Sequence, residues 1–216
     1  MTSGRAAGPL KVYLEVGAKK TFTSAMDWPG WSRSGRDEQT ALDALLECGP
    51  RYVRVVGRTA GFKAPKDTAE VTITERLTGD AATDFGAPGA IPLADRAPLT
   101  DDELGRLEKI FSDCWKAFER ASKGAQGKKL SKGPRGGGRD LAGIEEHVRG
   151  AEQSYAAQVG LRGDLLEAVR ARARGELPDV GPRGGERWPA RYAIRRAAWH
   201  VLDHAWEIED RSASQG

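Results

Sequence analysis

Between Lys11 and Val16 apolar and polar residues alternate, which places Val12, Leu14 and Val16 on one face of a strand. Lys20–Met26 is a second extended run, and Gly17-Ala18-Lys19-Lys20 between the two suits a hairpin. Asp27-Trp28-Pro29-Gly30 carries turn chemistry, and Trp31–Ser34 is expected to resume a strand. From Asp37 the period changes. Ala41, Leu42, Leu45 and Leu46 recur at helical spacing, and Gly49-Pro50 predicts the end of that helix. Arg51–Val56 and Ala69–Thr74 are expected as further strands. Residues 77–99 hold three Pro and three Gly and predict an irregular linker.

Past residue 99 the pattern is helical throughout. Thr100-Asp101-Asp102-Glu103 is a capping box, with a Thr cap and a Glu three residues on. Leu104, Leu107, Ile110, Phe111, Cys114, Trp115 and Phe118 follow as one wide apolar stripe. Lys123–Arg139 has six Gly and six Lys+Arg and no apolar period, so it predicts a basic connection. Gly136-Gly137-Gly138 within it follows no strand, and a solvated connection fits it better than a phosphate loop. A second helix has Leu141, Ile144, Val148, Ala151, Tyr155 and Val159 on its core face. A shorter third covers about Asp164–Arg174. Gly175–Arg187 is another connection. The last helix starts near Trp188-Pro189, with Pro in its first turn, and runs to about Arg211. Four helices with two long connections predict a four-helix bundle. The fold class expected is α+β: a small N-terminal α+β domain over 8–96, then the bundle over 100–211.

Composition narrows the function classes. The 216 residues are 39% hydrophobic and 30% charged, and mean hydropathy is -0.56. No apolar run approaches the ~18–20 residues of a membrane span, so no membrane partner is expected. Residues 1–99 carry 13 Lys+Arg against 12 Asp+Glu, and residues 100–216 carry 21 against 19. Neither half is basic enough to argue for nucleic acid. Two cysteines, Cys48 and Cys114, make no disulfide framework, and Met1–Leu10 has no apolar leader segment. Both points suit a cytoplasmic chain. Cys114 falls on an apolar helix face and is expected as a small buried hydrophobe.

The chemistry concentrates in the histidines. The chain has three, His147, His200 and His204, all in the helical half. His200 and His204 are four apart, one turn along the same helix face, where two imidazoles can share an ion. His147 sits at the edge of the second helix's core face. If those helices are neighbours, the three imidazoles converge. Three neutral nitrogen ligands leave a coordination position open, which suits a catalytic metal better than a closed structural one. Glu207, three residues after His204, is a candidate outer partner, with an intrahelical pair to Arg211 as its plainer role.

Ala197–Arg211, with its His200-Val201-Leu202-Asp203-His204 core, resembles the last helix of DinB-like proteins, a superfamily of metal-binding four-helix bundles. Glu146-His147-Val148-Arg149-Gly150-Ala151-Glu152 with Tyr155 resembles that family's second helix. The resemblance covers about residues 100–211 and implies His147, His200 and His204 as metal ligands. It also implies a divalent ion, zinc first, with nickel, iron or manganese as alternatives. Members include thiol S-transferases and isomerases, so a low-molecular-weight thiol such as mycothiol and an electrophilic small molecule are the implied partners. Metal-assisted hydrolysis would use the same site.

The N-terminal half resembles a different family. Phe22–Leu46, with Asp27-Trp28-Pro29-Gly30-Trp31, Ser34-Gly35-Arg36-Asp37-Glu38 and Ala41-Leu42, is similar to the HicB-type antitoxin fold over about residues 11–56. It departs from that pattern in Trp28 and Trp31, and in carrying a bundle where an antitoxin has a DNA-binding element. A small domain that packs on the bundle or mediates homodimer contacts is the plainer expectation. A binding or regulatory module with a protein partner is the alternative to an enzyme.

Overall fold

The computed structural model describes residues 9–60, 62–133 and 138–213. Met1–Gly8, and Gly136 and Gly137 of the glycine triplet, lie outside the described residues. The described residues combine a four-stranded sheet with six α-helices, and the chain divides into two compact units at Pro92/Leu93.

The first unit contains β1 (Leu10–Val16), β2 (Thr21–Ala25), β3 (Ser32–Gly35), α1 (Glu38–Ala60), β4 (Val71–Thr78) and the short α2 (Ala81–Phe85). The sheet order is β3-β2-β1-β4. The hairpin alternation appears as antiparallel pairing of Leu14 with Thr23 and of Val16 with Thr21. β4 lies parallel to β1 on the other side, with a register irregularity at Val12/Tyr13. β1 is the buried centre. Val12, Tyr13, Leu14 and Glu15 are all buried in succession, so both faces are covered, while Val16 is exposed. Gly30 closes the turn after β2 at φ +90°, a conformation glycine adopts without steric cost.

Glu15 is fully buried, and its carboxylate accepts hydrogen bonds from the Gly89 and Ala90 backbone N–H groups and from Thr83 Oγ1. Asp84 accepts from the Lys19 and Lys20 amides. The stretch read as an irregular linker is therefore pinned to the sheet up to residue 90.

Two sequence expectations fail in this unit. α1 does not stop at Gly49-Pro50, and Arg51–Val56 is not a strand: the helix runs on to Ala60 with Pro50 inside it. Proline forfeits one backbone bond and crowds the preceding turn. Packing outweighs that cost here. Leu45, Cys48, Tyr52 and Val56 continue the helical spacing and are buried. Tyr52 stacks on Trp31, meets Phe62 edge-on and donates its hydroxyl to Pro29 O at 2.7 Å. The Trp31 indole N–H in turn donates to Leu45 O. The fourth strand is also displaced. Thr68–Glu70 forms a 3-10 turn capped by Asp67, and β4 begins only at Val71.

The second unit contains α3 (Asp101–Ala125), α4 (Leu141–Val159), α5 (Leu165–Ala173) and α6 (Ala190–Ala213), preceded by a 3-10 turn at Leu93–Arg96. The capping box forms: Thr100 Oγ1 accepts from Glu103 N, and the Glu103 carboxylate accepts from Thr100 N. Asp140 and Asp164 cap α4 and α5 by accepting from Gly143 N and Glu167 N, without the reciprocal bond. α6 packs against α3, α4 and α5 and is buried on more than one face, through Ile194, Ala197, Ala198, Val201, Leu202, Ala205 and Ile208. Leu107, Ile110, Phe111, Cys114 and Phe118 supply the α3 side of this core, and burial pushes the Cys114 thiol up, far from any reactive range. Each fully buried large side chain contributes ~1.5–3 kcal/mol.

Leu93–Arg96, in the stretch read as a linker, forms this 3-10 turn and packs on α6. Asp95, buried, receives two hydrogen bonds at 2.7 Å from the buried Arg195 guanidinium. No helix among the described residues is long and apolar enough to cross a membrane.

Candidate metal centre

Neighbouring α4 and α6 bring the three histidines together. His200 Nε2 lies 3.1 Å from His147 Nε2. One ligand nitrogen from each of His147, His200 and His204 falls within 4.8 Å of the others. The ring centroids are 5.0, 5.0 and 4.7 Å apart. Two Zn–N bonds of ~2.0–2.1 Å at a tetrahedral angle hold their nitrogens about 3.3 Å apart, so the closest pair stands at the spacing of two ligands on one ion. The imidazoles could hold a metal ion.

The surroundings favour the neutral, ligating form. Burial, then the charge of Arg139, hold His147 below the ordinary histidine range. His200 is pushed down to about 2, chiefly by burial, with His204 and Arg196 adding to it. Neutral imidazole is the state that binds metal.

Glu207 fills the outer-partner role. Its Oε2 lies 2.7 Å from His204 Nδ1. A carboxylate only accepts, so Nδ1 carries the proton and the lone pair of His204 is left on Nε2. The hydrogen bond from His204 and the Arg211 guanidinium hold the Glu207 carboxyl below its usual range against the opposing effect of burial. The plainer role is present as well, because Arg211 Nη1 donates to Glu207 Oε1 at 2.6 Å. Glu207→Ala is expected to weaken zinc binding by about 10–100-fold, the usual cost of losing an outer partner. Competition titration with a chromogenic chelator would measure it, and an unchanged affinity would assign Glu207 to the Arg211 pair alone.

Sequence reasoning missed Arg211's wider role. Buried, it also donates Nε to Ser131 O at 2.7 Å and Nη2 to Arg139 O at 2.8 Å. It thereby fastens both ends of the α3–α4 connection to the helix that carries two of the histidines. Gly138, at φ +129°, lies flat on this guanidinium, where a Cβ would stand 2.9 Å from Arg211 Cζ. The i,i+4 pairing was visible in the sequence; the two carbonyl partners 72 and 80 residues away were not.

An aromatic wall closes one end of the cluster. Tyr155 meets His200 edge-on at 5.8 Å, and Arg196 lies over both Tyr155 and Trp199. On the His147 side a solvent-open cavity of about 580 Å³ runs along α4, bounded by Arg139, Glu146, His147, Ser154 and Tyr155.

Farther along α4, Glu152 lies beside Glu119, Arg149 and Asp164 in a separate cavity. Burial, with the Asp164 charge, pushes its carboxyl up to about 7 from an ordinary 4.5. Between those values the folded protein keeps a proton that the unfolded chain has released. The linked stability is complete below about 4.5 and is lost as pH rises through about 7. Glu152→Gln is expected to flatten the melting-temperature profile across this window and to melt above wild type at pH 8. A variant with an unchanged pH profile would count against the shift.

Comparison with known proteins finds no family model, no curated protein and no solved structure that matches the chain.

Proposed function

We propose that the chain is a divalent-metal-dependent enzyme of the DinB-like type, transferring a low-molecular-weight thiol to an electrophilic small molecule. The observation that carries this reading is a cluster of three imidazoles, one of which, His147, lines a solvent-open cavity. His147, His200 and His204 would hold the ion, and zinc suits three nitrogen donors. A divalent ion bound there supplies the positive charge that stabilises a thiolate at neutral pH. The chain's own residues do the rest. Glu207 fixes the His204 ring and keeps its Nε2 lone pair free. Tyr155, Trp199 and the buried α6 face keep water from the inner side of the cluster. The cavity beside His147 leaves room for a small molecule to reach that imidazole.

A second reading has one observation in its favour. In the first unit β2, the Asp27–Gly30 turn, β3 and α1 follow in the order of the HicB-type pattern. Under that reading the first unit recognises a protein partner or a second copy of the chain, and the bundle is a metal-carrying scaffold.

Metal analysis of the purified protein, followed by a mycothiol-consumption screen against electrophiles with a chelated control, tests the enzyme reading. Stoichiometric zinc with chelator-sensitive thiol loss is expected. Zinc with no thiol loss against any electrophile, together with capture of a small partner protein by the first unit, would favour the second.

A further inference from the structure

We infer that the cavity along α4 is an anion-binding subsite, in which the Arg139 guanidinium receives a carboxylate of the substrate beside the three imidazoles. This rests on the metal-enzyme reading above and names the class of ligand that the same site takes.

Position is the first observation. Arg139 and Tyr155 stand at opposite ends of a cavity of about 580 Å³, and His147 lies between them. His147 and Tyr155 are separated by two helical turns, about 12 Å. The wall beside them is low, because α4 presents Gly143, Gly150 and Ala151 to the cavity. Nothing lies within 4 Å of where a Cβ would stand at Gly150.

Arg139 is also held in place. Its carbonyl accepts from Arg211 Nη2, Gly138 before it rests on the Arg211 guanidinium, and Asp140 after it caps α4. The backbone is fixed on both sides, yet no carboxylate among the described residues pairs with the Arg139 side chain. Arg139 is exposed, and its guanidinium offers a planar fork matched to a carboxylate.

Charge balance points the same way. Three imidazoles bring no negative charge to a divalent ion. The charge of Glu207 is shared between His204 and Arg211. Arg196 adds a second guanidinium at the aromatic end, and its Nη1 is buried without a hydrogen-bond partner among the described residues. Glu146, exposed, is the carboxylate on the cavity rim. A loaded site would carry excess positive charge with room beside it, which an anionic ligand offsets.

The carboxylate could belong to the electrophile or to the thiol, and the test separates the two sources. Zinc content is measured first in every sample of the full chain. Titration calorimetry then follows succinate, N-acetylcysteine and the uncharged N-acetylcysteine amide. Succinate is expected to bind wild type about tenfold or more tightly than Arg139→Ala, with partial recovery in Arg139→Lys. Gly150→Leu, which fills the cavity, should weaken succinate binding with zinc content unchanged. Wild type favouring N-acetylcysteine over its amide, with that preference lost in Arg139→Ala, assigns the carboxylate to the thiol. Discrimination with succinate alone assigns it to the electrophile. Equal binding of both acids by wild type and Arg139→Ala overturns the subsite. Wild type that takes up no zinc overturns the metal-enzyme reading, whereas the Arg139 dependence of succinate binding in that same protein still decides the subsite.

Discussion

His200→Ala is expected to strip zinc from the protein and leave its far-UV circular dichroism helical. His200 supplies one of three clustered nitrogens, and removing a ligand exceeds the ~10–100-fold cost of losing an outer partner. Below about 100-fold weakening, measured by chelator competition, the site would not be the one described. The fold is expected to survive because the bundle core does not depend on the ion. Phe111, Phe118, Ile110, Ile144, Leu165, Ile194 and Leu202 are fully or almost fully buried around α6. At ~1.5–3 kcal/mol for each such side chain the apolar core is large compared with a typical net stability of ~5–15 kcal/mol. A variant that loses helix together with zinc would make the ion structural and shift weight to the scaffold reading.

Asp95→Ala is expected to be the most destabilising single change in the second unit, at about 3–5 kcal/mol. It leaves the Arg195 guanidinium buried with its two 2.7 Å acceptors gone. Urea unfolding followed by tryptophan fluorescence reads the loss as a lower midpoint. Pairing it with Arg195→Met removes the buried charge and should recover most of the stability. A loss under 1 kcal/mol in the single variant would mean that water reaches Arg195. The pair also sets where the second unit can be cut. A fragment beginning at residue 100 drops Asp95 and inherits the same lesion, whereas one beginning at Leu93 keeps it.

These two predictions differ in how far the sequence foretold them. Local grammar was legible: Thr100 with Glu103 marks a helix start through hydrogen bonds that span three residues. The histidine pair was legible because His200 and His204 are one turn apart on a helix. What joins them to His147 is the packing of α4 on α6, which spacing alone does not specify. Pro50 misled because its cost is local and visible, while its compensation, Tyr52 against Trp31 and Pro29, comes from residues 21–23 positions upstream. Asp95 escaped notice for the same reason. Nothing near it in sequence distinguishes it from a surface carboxylate, and its partner lies 100 residues on. The Glu15 clasp on Gly89 and Ala90 is another long-range bond, and it turned an apparent linker into part of the first unit.

The Arg211 anchor changes how the glycine-rich connection tolerates redesign. Ser131 and Arg139 are both tied to one side chain, so the distance between those two residues is set by the anchor and not by the chain that joins them. Doubling that chain costs only about 0.6 kcal/mol of closure entropy, which makes Lys132 or Gly133 a point where a peptide tag or a small reporter domain can be spliced in without disturbing the histidine cluster. Gly138 is the opposite case. A side chain there is strained at φ +129° and its Cβ would stand 2.9 Å from Arg211 Cζ, so even Gly138→Ala is expected to shift the guanidinium that donates to Glu207.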